Sequence, residues 1–288
     1  MNEKKFLSVA VVDTETQSKK QHPFRGMVNM WDIVTAVCFN ELFEEYDDEK
    51  IDANQLNDDI FDEAMKMDVF KAPVKNVLGI SEESKTLWVY DSTASLSQLM
   101  EAFTSGLHRA LVRTKANSLS PQDYLIVSQT DVIRFLLSTN SAAAAKLLEQ
   151  PLSATSAVTP RVISIGTDSS ALTGFRKLTM YDVQGVAVVN KSGDVVASLS
   201  ASDLRGLNQK SFKTALLPVT EFLKLAHAQP QNMVTCTRGE KVGSVMKKLL
   251  DAKVHRAWVL DDDKSPFGTV SMTDIIAVFS PHDNRQEQ

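Results

Sequence analysis

One short pattern recurs four times along the chain, and that recurrence limits what the chain can fold into. Leu107-His-Arg-Ala-Leu-Val112 reappears as Val254-His-Arg-Ala-Trp-Val259. Each is followed by a polar loop and a second run: Tyr124-Leu-Ile-Val-Ser-Gln-Thr-Asp-Val-Ile-Arg-Phe135 in one case, Phe267-Gly-Thr-Val-Ser-Met-Thr-Asp-Ile-Ile-Ala-Val278 in the other. A third copy is Val195-Val-Ala-Ser-Leu-Ser-Ala-Ser-Asp-Leu204, and a fourth, at the front, is Phe24-Arg-Gly-Met-Val-Asn-Met-Trp-Asp-Ile33. Their last acidic residues are Asp32, Asp131, Asp203 and Asp274, spaced by 99, 72 and 71 residues. Repeats of this length are single supersecondary units, each with apolar surface that only another unit can cover.

Periodicity gives each unit its local structure. Leu96, Leu99, Met100, Phe103 and Leu107 fall on one face of a helix, as do Val242, Val245, Met246, Leu249 and Leu250. Leu172, Phe175, Leu178 and Met180 form a weaker stripe. Ala110–Val112, Leu125–Val127, Val186–Val189 and Ala257–Leu260 have strand length, and Lys191–Asp194 and Asp261–Pro266 carry turn residues. Each unit therefore reads helix, strand, polar turn, strand, helix, with the Asp opening the last helix and capping its N–H groups. The copies span 6–46 (partial), 77–138, 161–208 and 233–280, joined by an acidic linker at 47–76, a linker at 139–160 and a connecting segment at 209–232. Copies one with two and three with four are expected as halves, with the boundary between Ser138 and Pro160. Phe6–Val12 reads as a strand, and Phe212–Leu225 as a helix around Pro218.

Composition narrows the function. With 31 Lys and Arg against 36 Asp and Glu, net −5, the chain lacks the basic footprint of a nucleic-acid binder. Cys38 and Cys236 are too far apart for a metal motif and fit a reducing compartment, cytoplasmic or also nuclear. No apolar run has membrane-spanning length. There is no G-x-S-x-G, H-E-x-x-H or phosphate-loop motif, and the His-Arg pairs are followed by Ala rather than a catalytic Asp. The stretch Glu41–Asp62 holds ten carboxylates, but no Gly occurs between Gly26 and Gly79. It therefore reads as a solvated linker and not as a calcium loop. No catalytic residue and no metal site is expected.

The order strand, x-x-Ser/Thr-x-x-Asp, helix resembles the adenosine-binding signature of cystathionine-beta-synthase (CBS) domains. Four such units resemble the gamma subunit of AMP-activated protein kinase, and His108–Val112 with Gln129–Leu136 look most like the plant-type gamma or gamma-like proteins of the sucrose-non-fermenting-related kinase. The resemblance implies an α/β fold of βαββα-type repeats paired into two Bateman modules, the first repeat incomplete. It implies a non-catalytic regulatory subunit that senses AMP, ADP or ATP, with kinase catalytic and scaffold subunits as partners. Two alternatives stay open: a free-standing CBS-pair protein regulating another enzyme through an adenosyl ligand, and a structural adaptor with degenerate sites.

The chemistry of the signature follows from its residues. A carboxylate can accept from both hydroxyls of a ribose, a role open to Asp32, Asp131, Asp203 and Asp274. Ser128, Ser200 and Ser271, and Asn29 in copy one, stand three residues earlier and can donate toward ribose or phosphate. Helix N-termini at that point favour anions. His108, Arg109, His255 and Arg256 would contact phosphate, Arg in bidentate fashion. Copy three has Val183-Gln184 in place of the cationic pair. Leu125 and Ala197 replace the glycine held at Gly26 and Gly268, where the missing side chain would let backbone approach a ligand. Copy four alone keeps Gly, Ser, Asp and His-Arg together. Trp31, Trp88 and Trp258 are expected in the core rather than under a ligand.

Overall fold

The computed structural model describes residues 8–13, 21–39, 73–204, 214–227 and 233–280. The acidic stretch Glu41–Asp62 lies outside them. Eleven strands are found among the described residues: β1 Ser8–Val12, β2 Phe24–Asn29, β3 Val89–Asp91, β4 Arg109–Arg113, β5 Tyr124–Ser128, β6 Ser164–Gly166, β7 Gly185–Val189, β8 Val195–Ser200, β9 Thr235–Cys236, β10 Arg256–Leu260 and β11 Pro266–Ser271. The helices are α1 Met30–Cys38, α2 Glu82–Lys85, α3 Leu96–Thr104, α4 Gln129–Ser138, α5 Ala142–Leu148, α6 Ala171–Met180, α7 Val219–Ala226, α8 Val242–Ala252 and α9 Met272–Phe279.

Copies two, three and four build the same sheet. A short strand runs parallel to the middle strand, which pairs antiparallel with the third: β3-β4-β5, β6-β7-β8 and β9-β10-β11. The parallel pair needs a crossover, and α3, α6 and α8 supply it. Each repeat is thus βαββ followed by a helix or helical turn, with a leading strand that periodicity did not mark. Among the described residues copy one has a two-stranded sheet, β1-β2, and the helix α1. The turns use side-chain chemistry: Asn190 Oδ1 accepts from the N–H groups of Ser192 and Asp194, both at 2.9 Å, and Gly193 adopts φ +88°.

The compact units do not follow chain order. Among the described residues one unit contains most of copy one with copy three (8–11, 25–39, 73–86, 163–204 and 214–227), the other copies two and four with 12–13 and 21–24 (also 87–162 and 233–280). The reason lies in the helix stripes. In the second unit α9 packs on α3 and α4, and α4 on α8. Leu99, Phe103, Ile133, Val245, Met246, Leu249, Ile275 and Ile276 share one core. In the first unit α1 packs on α6, and Trp31, Val34 and Cys38 join Leu172, Phe175, Leu178, Leu199 and Phe222. Each large apolar side chain removed from water stabilises by roughly 1.5–3 kcal/mol, so helix faces that meet an apolar partner define the units. The expected halves, one with two and three with four, are therefore not the compact units.

The segments expected to connect copies, including the short helix expected at Ala142–Ala145, pack into the units, and so does the start assigned to copy two. Residues 139–160 belong to the second unit: α5 packs on α8, Leu152 and Ala157 are fully buried, and the N–H groups of Leu152 and Ser153 donate to Glu240 and Arg238 carbonyls at 2.9 and 2.8 Å. Residues 73–86 fold into the first unit beside copy one, so copy two starts at β3 and not at 77. Within 209–232, α7 follows directly on Pro218 and buries Val219 and Phe222, the latter edge-on to Phe175 at 5.5 Å. In α6 the stripe stops at Leu178, and Met180 is exposed.

Leu152 tests the reassignment of the 139–160 segment. Leu152→Ala should lower stability by about 2–5 kcal/mol, because a fully buried methyl cluster leaves a cavity. A midpoint in urea unchanged from the parent would restore the linker assignment.

Candidate functional site

In copies one, two and four the last strand ends in a residue that caps the following helix, and the Asp lies inside the helix rather than at its cap; in copy three Ser200 bonds to Asp203 within a four-residue helical turn. In copy four Ser271 has extended backbone, φ −106° and ψ 168°, as a helix cap requires. Its N–H and Oγ–H both donate to Asp274 Oδ2, at 2.9 and 2.6 Å, and Asp274 N–H returns to Ser271 Oγ at 3.2 Å. In this reciprocal capping box the Asp carboxylate takes an orphan N–H, as expected, while Ser271 rather than the Asp is the cap residue itself. Copy two repeats it: Ser128 N–H and Oγ–H donate to Asp131 Oδ2 at 2.9 and 2.6 Å.

The box uses one carboxylate oxygen and leaves the other to differ between copies. Asp131 is half exposed, and its Oδ1 accepts from Arg134 at 3.2 Å on the surface, a pair worth little in water. Asp274 is buried at 8% exposure. Asp203 is almost fully buried; its Oδ2 takes the Ser200 N–H at 2.6 Å and its Oδ1 lies 3.0 Å from His227 Nε2. Asp32 is fully buried, boxed reciprocally with Asn29 (Asn29 N–H to Oδ2, 2.8 Å; Asp32 N–H to Asn29 Oδ1, 2.9 Å), and bonded through Oδ1 to Ser81 and Ser84. His227, Ser81 and Ser84 carry no repeat signal, because they come from outside the motif and meet it only through the fold.

The cationic pairs sit beside the boxes. Antiparallel pairing sets Arg109 opposite Ser128 and Arg256 opposite Ser271, while the first helical N–H of each following helix donates to the preceding histidine carbonyl (Gln129 to His108, 3.1 Å; Met272 to His255, 2.9 Å). All four basic side chains are partly buried. In copy three Gly185 occupies the place opposite Ser200, so no cation stands there. The pairing thus unites the His-Arg and Ser/Asp motifs in copies two and four, whereas copy three has no cationic pair to unite.

Copies two and four are also tied at this level. Gln129 Nε2 donates to Thr273 Oγ1 at 2.9 Å and to the Leu107 carbonyl at 2.9 Å, and Thr130 Oγ1 reaches Met272 Sδ at 3.7 Å. Gln129 and Met272 are equivalent residues of the two copies, as are Thr130 and Thr273, so the contacts cross a local pseudo-twofold. Gln129 is buried, and repeat comparison gave no reason to single it out.

Gly268 has a different role from the one expected. A Cβ there would lie 2.5 Å from the Thr159 carbonyl oxygen, and Thr159 and Thr269 exchange two backbone hydrogen bonds of 2.9 Å. The close approach is to the chain's own backbone. Gly268→Ala should therefore destabilise by about 1–3 kcal/mol in thermal or urea unfolding; a variant as stable as the parent would show that the Thr159 strand can move aside. Trp31 and Trp258 are buried as expected, whereas Trp88 is partly exposed and stacks on Tyr90 at 6.4 Å.

Neither thiol is poised for chemistry. Burial pushes Cys38 and Cys236 up to about 12, with Glu240 adding to the effect at Cys236. At pH 8 both should stay protonated and react with a thiol reagent only after unfolding. Rapid labelling of the native chain would contradict that. Among the described residues no cluster of His, Cys, Asp and Glu is placed to hold a metal ion, and no helix is long and apolar enough to cross a membrane.

Comparison with known proteins supports the repeat reading. Residues 230–281 match the CBS domain family. The chain is 27% identical over 241 residues to the Arabidopsis thaliana protein named SNF1-related protein kinase regulatory subunit gamma-like PV42b, covering 72% of this chain and 67% of that one. It is 25% identical over 231 residues to the PV42a protein of the same plant, covering 70% and 66%. These matches span about two thirds of each relative's length. Among solved structures, a Methanocaldococcus jannaschii protein described as a proposed archaeal homologue of g-AMPK superposes with a TM-score of 0.70 over 97% of this chain and 90% of its own. At 16% identity that likeness is one of fold.

Proposed function

We propose, for a chain of CBS-type repeats that resembles the gamma-like subunits of SNF1-related kinases, a role as a non-catalytic regulatory subunit that senses adenine nucleotides for such a kinase. Kinase catalytic and scaffold subunits are its proposed partners, in the cytoplasm or nucleus. The observation that carries the reading is the meeting of two motifs in copy four. Arg256 stands opposite Ser271, and Ser271 is boxed to Asp274 at the start of α9.

Each group then has a chemical task. Asp274 accepts from ribose hydroxyls while its Oδ2 keeps the box. Ser271, at the strand end, is held close to the same carboxylate. Arg256 and His255 neutralise phosphate, and the N-terminus of the eight-residue α9 adds a favourable field for an anion. Copy two repeats this set with Ser128, Asp131, His108 and Arg109, on a carboxylate that is more exposed. AMP, ADP and ATP share the ribose and the first phosphate that such a set would grip.

Calorimetry on the whole chain tests the assignment. Asp274→Ala should weaken AMP by about 1.5–3 kcal/mol, roughly ten- to a hundredfold. Arg256→Ala should weaken AMP more than adenosine, since its partner is the phosphate. If both folded variants, checked by circular dichroism, bind AMP like the parent, the site is wrong. If the chain fails to co-purify with a kinase catalytic subunit expressed beside it, the partner assignment falls.

A further inference from the structure

The carboxylate of the first repeat already holds a pair of hydroxyls. Asp32 Oδ1 accepts from Ser81 Oγ at 2.7 Å, from Ser84 Oγ at 2.5 Å and from the Ser81 N–H at 2.8 Å, while Oδ2 accepts from the Asn29 N–H at 2.8 Å. Oδ1, with two lone pairs, is met by three donors, and Oδ2 accepts one. Two neighbouring hydroxyls converging on one acidic residue is also what a ribose would present to it.

Three of the four donors come from one short segment some fifty residues away in sequence, and that segment is fastened independently of Asp32. Gly79 N–H donates to Ser84 Oγ at 3.0 Å, and Asn29 Nδ2 donates to Ser81 Oγ at 3.3 Å and to Glu83 Oε2 at 3.1 Å. Gly79 has φ +80°, a conformation that suits glycine and turns the chain into the segment. Leu78 covers Gly26, the glycine of the repeat signature, so closely that a Cβ there would lie 2.9 Å from Leu78 Cδ2. Ser81 and Ser84 are themselves buried.

A ribose could take Asp32 Oδ1 only by displacing both hydroxyls. It would exchange two internal hydrogen bonds for two of the same kind and lose the packing of Leu78 as well. We propose that segment 78–85 is an intramolecular stand-in for ribose that closes the first repeat to nucleotide. Ser81 and Ser84 are the residues that decide it. This rests on the nucleotide reading above and deepens it: occupancy is confined to repeats whose carboxylate has no such internal diol.

Hydrogen–deuterium exchange on the full chain, with and without AMP, tests this beside calorimetry. In the parent, AMP should slow exchange around 271–274 and leave 24–38 and 78–86 unchanged; slowing at 24–38 would overturn the proposal. Without ligand, Ser81→Ala/Ser84→Ala should speed exchange at 29–32 about tenfold, as expected when bonds to a buried carboxylate are lost. The same variant should take up one more equivalent of AMP, and a folded variant with no extra equivalent would refute the stand-in. Should the double variant fail to fold, Ser84→Ala alone carries both readouts. If AMP binds nowhere in the parent, the nucleotide function falls instead. The ligand-free exchange then judges the segment: unchanged rates at 29–32 would show that it holds nothing closed.

Discussion

A carboxylate three residues beyond a strand, bonded back to the strand's last N–H, fixes the geometry of every repeat. The bond satisfies a backbone donor that would be orphaned where strand pairing stops and helical pairing has not begun. It also sets the angle at which each helix leaves its sheet, and so which face the helix turns toward a partner. Because the box consumes one oxygen, the same residue can serve the fold and still offer chemistry. The copies then diverge at the second oxygen: surface arginine for Asp131, His227 for Asp203, two serines for Asp32.

With helix directions set this way, the apolar stripes choose partners. Copies two and four supply complementary stripes and bury them together, and copies one and three do the same. Copy one lacks a leading helix among the described residues, and its single helix is accommodated by α6, with Thr35 meeting Thr179 at 3.3 Å and Arg176 donating to the Cys38 carbonyl at 3.2 Å. The units follow from which faces are greasy and not from which repeats are adjacent in sequence.

Much of this was legible in the residues. The stripes of α3 and α8, the strand pairs and the Ser-x-x-Asp junctions lie where periodicity and turn chemistry put them, because local sequence determines them, except that α3 ends at Thr104 and Leu107 is buried beyond it, past the turn at Gly106. What was not legible depends on distant segments. Sequence order suggested which repeats pair, yet pairing is decided by stripe against stripe. Gly268 read as room for a ligand, while the room is taken by Thr159. Ser81, Ser84 and His227 look like ordinary polar residues until the fold carries them to a carboxylate. Gln129 occupies a variable place in its motif, and only its partner Thr273 explains why it is buried.

The Thr159–Thr269 bridge has a consequence for how the molecule behaves in a crowded solution. β11 is an outer strand, and an outer strand offers unpaired backbone groups to any other chain. The bridge occupies part of that border with the protein's own backbone, and Gly268 lets it sit close. β5 is the matching outer strand of copy two, and there Leu125 and Ile126 are exposed. The two borders of otherwise equivalent sheets are therefore unequal in their tendency to recruit neighbours, and intermolecular strand pairing at high concentration is favoured at β5 rather than β11.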